Sequence, residues 1–148
     1  MHVNTTRFGT VSVEDDRVID LPAGLLGFSG HEQWVLLQPD DDGIFFWLQS
    51  VDRADLAFVV TDPTLWITDY EATIRREQME ALGLDDFGSA QVFVIVNRYD
   101  GALTANLQGP LVVNVANRRG MQLVLADNRW TTRHEIVQIE APARMATA

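Results

Sequence analysis

The chain has 148 residues and contains no cysteine and no lysine. The first absence excludes disulfides, thiolate metal sites and a cysteine nucleophile. The second removes the phosphate loop, Gly-x-x-x-x-Gly-Lys, since there is no lysine to complete one. All 11 basic side chains are arginine, a usage we attribute to genomic base composition. Long apolar runs are missing as well. The longest, such as residues 92–96, fall far short of a bilayer span. No basic start leads into an apolar stretch at the N-terminus, so no signal peptide is visible and a soluble, cytoplasmic protein is expected. Histidine is scarce: His2, His31 and His134 show no H-x-x-x-H or H-E-x-x-H spacing, so no zinc site and no metal is expected. Repeats, linkers and low-complexity segments are absent. We expect one domain over residues 1–140 and a disordered tail over 141–148.

What is present in excess is acid. The chain holds 21 acidic residues against 11 basic ones, a net charge of −10. Residues 1–74 carry 13 acids and 3 arginines, whereas residues 75–148 carry 8 of each. Such a chain repels nucleic acid, because phosphate affinity comes from Lys and Arg, and it approaches basic proteins quickly.

Hydrophobic periodicity is close to two. Val11-Ser12-Val13 and Leu103-Thr104-Ala105-Asn106-Leu107 alternate. Short, fully apolar runs lie between them: Trp34-Val35-Leu36-Leu37, Phe45-Phe46-Trp47-Leu48, Leu56-Ala57-Phe58-Val59-Val60 and Val92-Phe93-Val94-Ile95-Val96; further apolar stretches are Leu111-Val112-Val113 and Met121-Gln122-Leu123-Val124-Leu125. Their β-branched and aromatic content suits strands buried on both faces. Asp100-Gly101 between two such runs is a hairpin signal. Asp42-Gly43, Gly9 and Asn117-Arg118-Arg119-Gly120 mark further turns, and Gly109-Pro110 opens a strand. One segment, Ile74-Arg75-Arg76-Glu77-Gln78-Met79-Glu80-Ala81-Leu82, reads as a short helix stopped by Gly83, with Thr73 as its cap. The fold class is therefore mainly β: a single-domain, closed or nearly closed β-barrel-like fold capped by one short helix.

A search for catalytic chemistry finds none. Gly27-Phe28-Ser29-Gly30-His31 begins like a G-x-S-x-G elbow, but His31 stands where the last glycine belongs, and no strand feeds it into a long helix. Asp40-Asp41-Asp42-Gly43 lacks the spacing of a calcium loop, whose closing Glu position is Val51 here, and reads as a solvated turn. Asp52 with Asp55, and Asp85 with Asp86, read as turn acids. No enzyme activity and no cofactor is expected. Large apolar residues in loops are the remaining anomaly: Leu25, Leu26 and Phe28 within residues 24–30, and Trp66 and Tyr70 around a polar segment. Either they tuck under as a satellite core or they form a protein-docking patch. We take these five, with Asn114, Arg118 and Arg119, as candidate protein-binding residues.

In order along the chain, several stretches resemble the flagellar assembly factor FliW family. They are Leu21-Pro22-Ala23-Gly24-Leu25-Leu26-Gly27-Phe28, Leu48-Gln49-Ser50-Val51-Asp52-Arg53-Ala54-Asp55-Leu56-Ala57-Phe58-Val59-Val60-Thr61-Asp62-Pro63, Asp69-Tyr70-Glu71, Ala105-Asn106-Leu107-Gln108-Gly109-Pro110-Leu111-Val112-Val113-Asn114 and Arg119-Gly120-Met121-Gln122-Leu123-Val124-Leu125. The resemblance implies a helix-capped, barrel-like β fold and two protein partners. One is the translational regulator CsrA, held away from flagellin messenger RNA; the other is flagellin, which displaces it. It implies neither direct nucleic-acid binding nor a membrane. The family usually places a Ser or Thr cap where Arg75 stands, a departure worth about 1 kcal/mol of local stability. If the acidic half faces the RNA path, Asp40, Asp41 and Asp42 repel phosphates, and their neutralisation weakens RNA antagonism more than CsrA binding.

Two other readings compete. A small-molecule-binding barrel or minor enzyme would place a polar pocket holding His134 or Glu135 at the barrel mouth. A purely structural subunit would need a symmetric interface.

Overall fold

The period-two pattern resolves into strands. The computed structural model describes residues 1–39 and 43–138. A first hairpin pairs β1 (His2–Thr5) with β2 (Gly9–Ser12) as a sheet of its own. The other strands share one antiparallel sheet: β3 (Ile19–Asp20), β4 (Gln33–Leu37), β5 (Phe45–Ser50), β6 (Ala57–Thr61), β7 (Ala90–Tyr99), β8 (Ala102–Ala105), β9 (Leu111–Asn114), β10 (Gly120–Gln122) and β11 (His134–Gln138). The helix α1 spans Arg76–Leu82. The expectations for Asp40, Asp41 and Asp42 and for the tail lie outside the described residues.

The ten-residue β7 is the hub. At its end Asp100 and Gly101 have φ of 52° and 75°, the two positive angles that a type I′ turn needs. The chain returns along β7 as β8, with Val96 opposite Ala105. After a detour over residues 106–110 it rejoins β7 as β9, with Phe93 opposite Leu111. The other edge of β7 pairs with β6, and pairing continues through β5 and β4 to β3. The sheet curls until its ends touch: Asp20 bridges Arg119 in parallel, and the Asp20 N–H donates to the Arg118 carbonyl at 2.9 Å. This seam makes the barrel nearly closed. Gly120 sits at it because a Cβ there would come within 2.6 Å of the Leu21 side chain.

Two apolar clusters lie on the two faces of β7 and β9. Trp34, Leu48, Val60, Phe93, Leu111 and Val113 pack inside the curl. Tyr70, Leu82, Val94, Leu107, Val112 and Trp130 pack on the other face. Neighbouring residues of β7 and β9 thus point into different cores, which explains runs with no polar alternation. Burying each such side chain is worth about 1.5–3 kcal/mol.

Three elements differ from the sequence expectation. The helix begins at Arg76 rather than Ile74, because Ile74 is buried in the outer cluster on an extended lead-in. Its cap is Arg75, not Thr73. A guanidinium has no acceptor, so only the return half of a capping box exists, the Arg75 N–H donating to Gln78 Oε1 at 2.8 Å. Strand β10 ends at Gln122 instead of Leu125, although the Leu123 and Leu125 N–H groups still donate to Pro110 and Gln108. Strand β11 is an addition; its register shifts between Glu135 and Val137, and that bulge breaks the alternation that would have announced it.

Candidate functional site

The loop residues singled out in the sequence separate by burial. Leu25 is buried in the inner core, and Phe28 packs edge-on against Phe58 at 5.2 Å. Of the three large apolar residues of that loop only Leu26 is exposed, its backbone N–H held by Gln122 Oε1 at 2.9 Å. Trp66 stacks on Phe45 at 5.7 Å and donates from Nε1 to the Thr61 hydroxyl. Tyr70 is buried against Trp130, and its hydroxyl donates to the Leu107 carbonyl at 2.6 Å. Burial without a bonded partner for its negative form pushes the Tyr70 phenol well above its usual range. Leu25 and Tyr70 thus follow the satellite-core reading, and neither offers a surface to a partner.

The turn between β9 and β10 divides its side chains between two jobs. Asn114 is buried and donates to the carbonyls of Leu82 and Gly83 at 2.8 and 3.3 Å. Asn117 donates to Leu82 and Arg119 to Ala81. These are carbonyls that the end of α1 leaves without helical partners. Asn114 and Arg119 therefore fasten the helix to the sheet, Asn114 from a buried position.

Arg118 behaves differently. Its φ is 62°, a left-handed conformation that strains a residue with a Cβ. One guanidinium nitrogen donates to the Arg17 carbonyl at 3.0 Å, while the buried Nε has no partner. Burial first, and then the nearby Arg17 charge, lower its affinity for the proton, with Asp16 opposing; a guanidinium still stays charged at neutral pH. A strained residue with an orphaned buried donor is a marker of a functional position.

Two open grooves meet at this side chain. One, of about 580 Å³, runs along the seam between Asp15, Asp16, Val18, Asp20 and Asn117. The other, of about 490 Å³, has Val13, Leu36, Leu37, Phe46 and Phe93 as its apolar lining, with Glu14 and Arg17 beside them. Together they offer an apolar floor, an acidic rim and one constrained cation. Sequence reasoning named Arg118 and missed this rim. Its signal was legible in Glu14-Asp15-Asp16, part of the acidic excess of the first half.

Among the described residues, the hydroxyl and imidazole groups that come together do not line up as a Ser–His pair. Ser50 Oγ donates to Asp52 at 2.8 Å, and His31 Nδ1 meets the same carboxylate oxygen at 3.3 Å. The carboxylate stands between hydroxyl and imidazole, so the imidazole does not face the hydroxyl it would have to activate. The Ser50 bond, then that of His31, holds the Asp52 carboxyl below its usual range. Ser29 lies exposed in a turn, and His134 and Glu135 lie exposed on β11. Among the described residues no group of three His, Cys, Asp or Glu side chains could hold a metal, and no helix is long and apolar enough to cross a membrane.

Known proteins similar to this chain agree on one family. The family model described as "FliW protein" matches residues 2–136. The flagellar assembly factor FliW of Treponema denticola is 37% identical over 139 residues, covering 93% of this chain and 94% of that protein. Its namesake in Geobacter sulfurreducens is 40% identical over 136 residues, covering 90% and 85%. A crystal structure of the flagellar assembly factor FliW superposes with a TM-score of 0.84 at 30% identity, covering 92% of this chain and 96% of that one.

Proposed function

Because this chain belongs to the FliW family, we propose that it is a cytoplasmic flagellar assembly factor that binds CsrA and flagellin, coupling flagellin translation to flagellin secretion. The observation that carries this reading is the match over residues 2–136 in a single order. The Arg118 groove supplies a suitable surface. A protein that holds an RNA-binding regulator gains from acid at the contact: carboxylates repel phosphates over about 8–10 Å at cellular ionic strength, and they attract a basic partner. Glu14, Asp15, Asp16 and Asp20 provide that acid in the described residues, beside an apolar floor that excludes water from the contact.

Affinity capture from native lysate, with CsrA and flagellin probed separately, tests the reading. Retention of both is expected, and added flagellin should release CsrA. Retention of neither overturns it. Asn substitution of Asp40, Asp41 and Asp42 should weaken displacement of RNA from CsrA more than it weakens CsrA binding itself, measured by competition with labelled RNA.

A further inference from the structure

We propose that the cavity beside Phe87, on a different part of the surface from the Arg118 groove, is a docking site for an amphipathic segment. It would take one apolar anchor side chain with Lys or Arg next to it. The cavity measures about 450 Å³, and Ala72, Ile74, Phe87, Ala90 and Val92 make it mainly apolar. That size falls within the range of about 300–1,000 Å³ seen for ligand pockets. Its floor belongs to β7 and its wall to the extended segment leading into α1, both parts of the outer core, so the cavity is preformed.

The Phe87 ring stands 60% exposed at the rim, although a phenyl group gains from leaving water. It is not on a slack loop. Phe87–Ser89 is a 3-10 turn capped by Asp86, whose carboxylate accepts from the Ser89 N–H at 3.1 Å. The Ser89 carbonyl in turn accepts from Val115 N at 3.1 Å. The turn therefore presents the Phe87 ring on a fastened backbone. Exposed aromatics of this kind, next to a well-formed apolar cavity, are the usual anchors of a protein contact.

Charge chooses the partner. The ionisable group lining the cavity is Glu71, and Asp85 and Asp86 precede Phe87 in the chain. Two nearby cations are bonded to acids outside the cavity, Arg129 to Asp127 at 2.9 Å and Arg75 to Glu77 at 3.4 Å, with Arg129 also within electrostatic reach of Glu71. An apolar anchor flanked by acid would be repelled here, and one flanked by Lys or Arg would be attracted.

Two labelled helical peptides test this on the full chain by fluorescence anisotropy. Both carry leucine at i, i+3, i+4 and i+7; one has Lys flanks and the other Glu flanks. The Lys peptide should bind at least about tenfold more tightly than the Glu peptide, and Phe87→Ser should weaken it by about tenfold. Glu71→Gln should weaken it severalfold. Both positions are exposed, so circular dichroism of the two variants should match the parent. Equal binding of the two peptides, no binding of the Lys peptide, or no effect of Phe87→Ser overturns the proposal. Concentration-dependent dimerisation that Phe87→Ser abolishes also overturns it, since a second copy would then be the occupant. Neither CsrA nor flagellin enters the assay, so its outcome is independent of the capture experiment.

Discussion

Asn114 shows how much one side chain can hold at this scale. Its amide donates to two carbonyls at the end of α1 and accepts the Ala116 N–H at 2.9 Å, all under near-complete burial. Removing it strands buried backbone groups, at a cost of about 1–3 kcal/mol. Asn117 makes one bond to the same carbonyl of Leu82 from an exposed position. Asn114→Ala should therefore lower unfolding free energy by about 2 kcal/mol, and Asn117→Ala by about 1 kcal/mol or less, measured by urea titration. Equal losses would show that the helix anchor is not where the geometry puts it. Arg118 lies four residues on and answers to a different constraint. A backbone strained at φ 62° and an Nε without a partner are costs to folding of the kind that cluster at functional positions. Sequence marked both residues as one contact patch, because a turn rich in Asn and Arg looks the same whether its side chains reach inward or outward.

At the scale of elements, legibility followed local physics. The Asp100-Gly101 hairpin could be read because its angles are set within two residues. The apolar run at 92–96 could be read because burial on both faces leaves no polar position. Strand β11 could not, since the shift between Glu135 and Val137 removes its period. The start of α1 also escaped, because Ile74 is claimed by the outer core before the helix begins. The seam could not be read at all: it joins residues 20 and 119 through a single bridge, and nothing local encodes that meeting. Gly120 makes it possible, with Leu21 and the Val112 carbonyl crowding the place of a side chain. Gly120→Ala should cost about 1–3 kcal/mol by overpacking and should speed hydrogen exchange at the Asp20 amide, which donates across the seam. Unchanged exchange at Asp20 would mean that the ends of the sheet are not held together there.

For the whole molecule, the asymmetry of charge is the feature that ties sequence to function. The acidic first half supplies β3 and the turn before it, and the balanced second half supplies Arg118. The curl of the sheet brings them to one groove. The family and the β-barrel-like class were legible in the sequence, whereas the groove was not, because its two banks are about a hundred residues apart in the chain (Arg17 and Arg118 are bonded across it). Titration of CsrA into the purified chain by calorimetry, at low and at high salt, tests the central claim most directly, with the triple variant Asp15→Asn, Asp16→Asn, Asp20→Asn measured alongside. The account predicts saturable binding that weakens as salt rises, and a variant that binds about tenfold less tightly at low salt with a flatter salt dependence. Binding that ignores both salt and the three substitutions, or no binding at all, would contradict it.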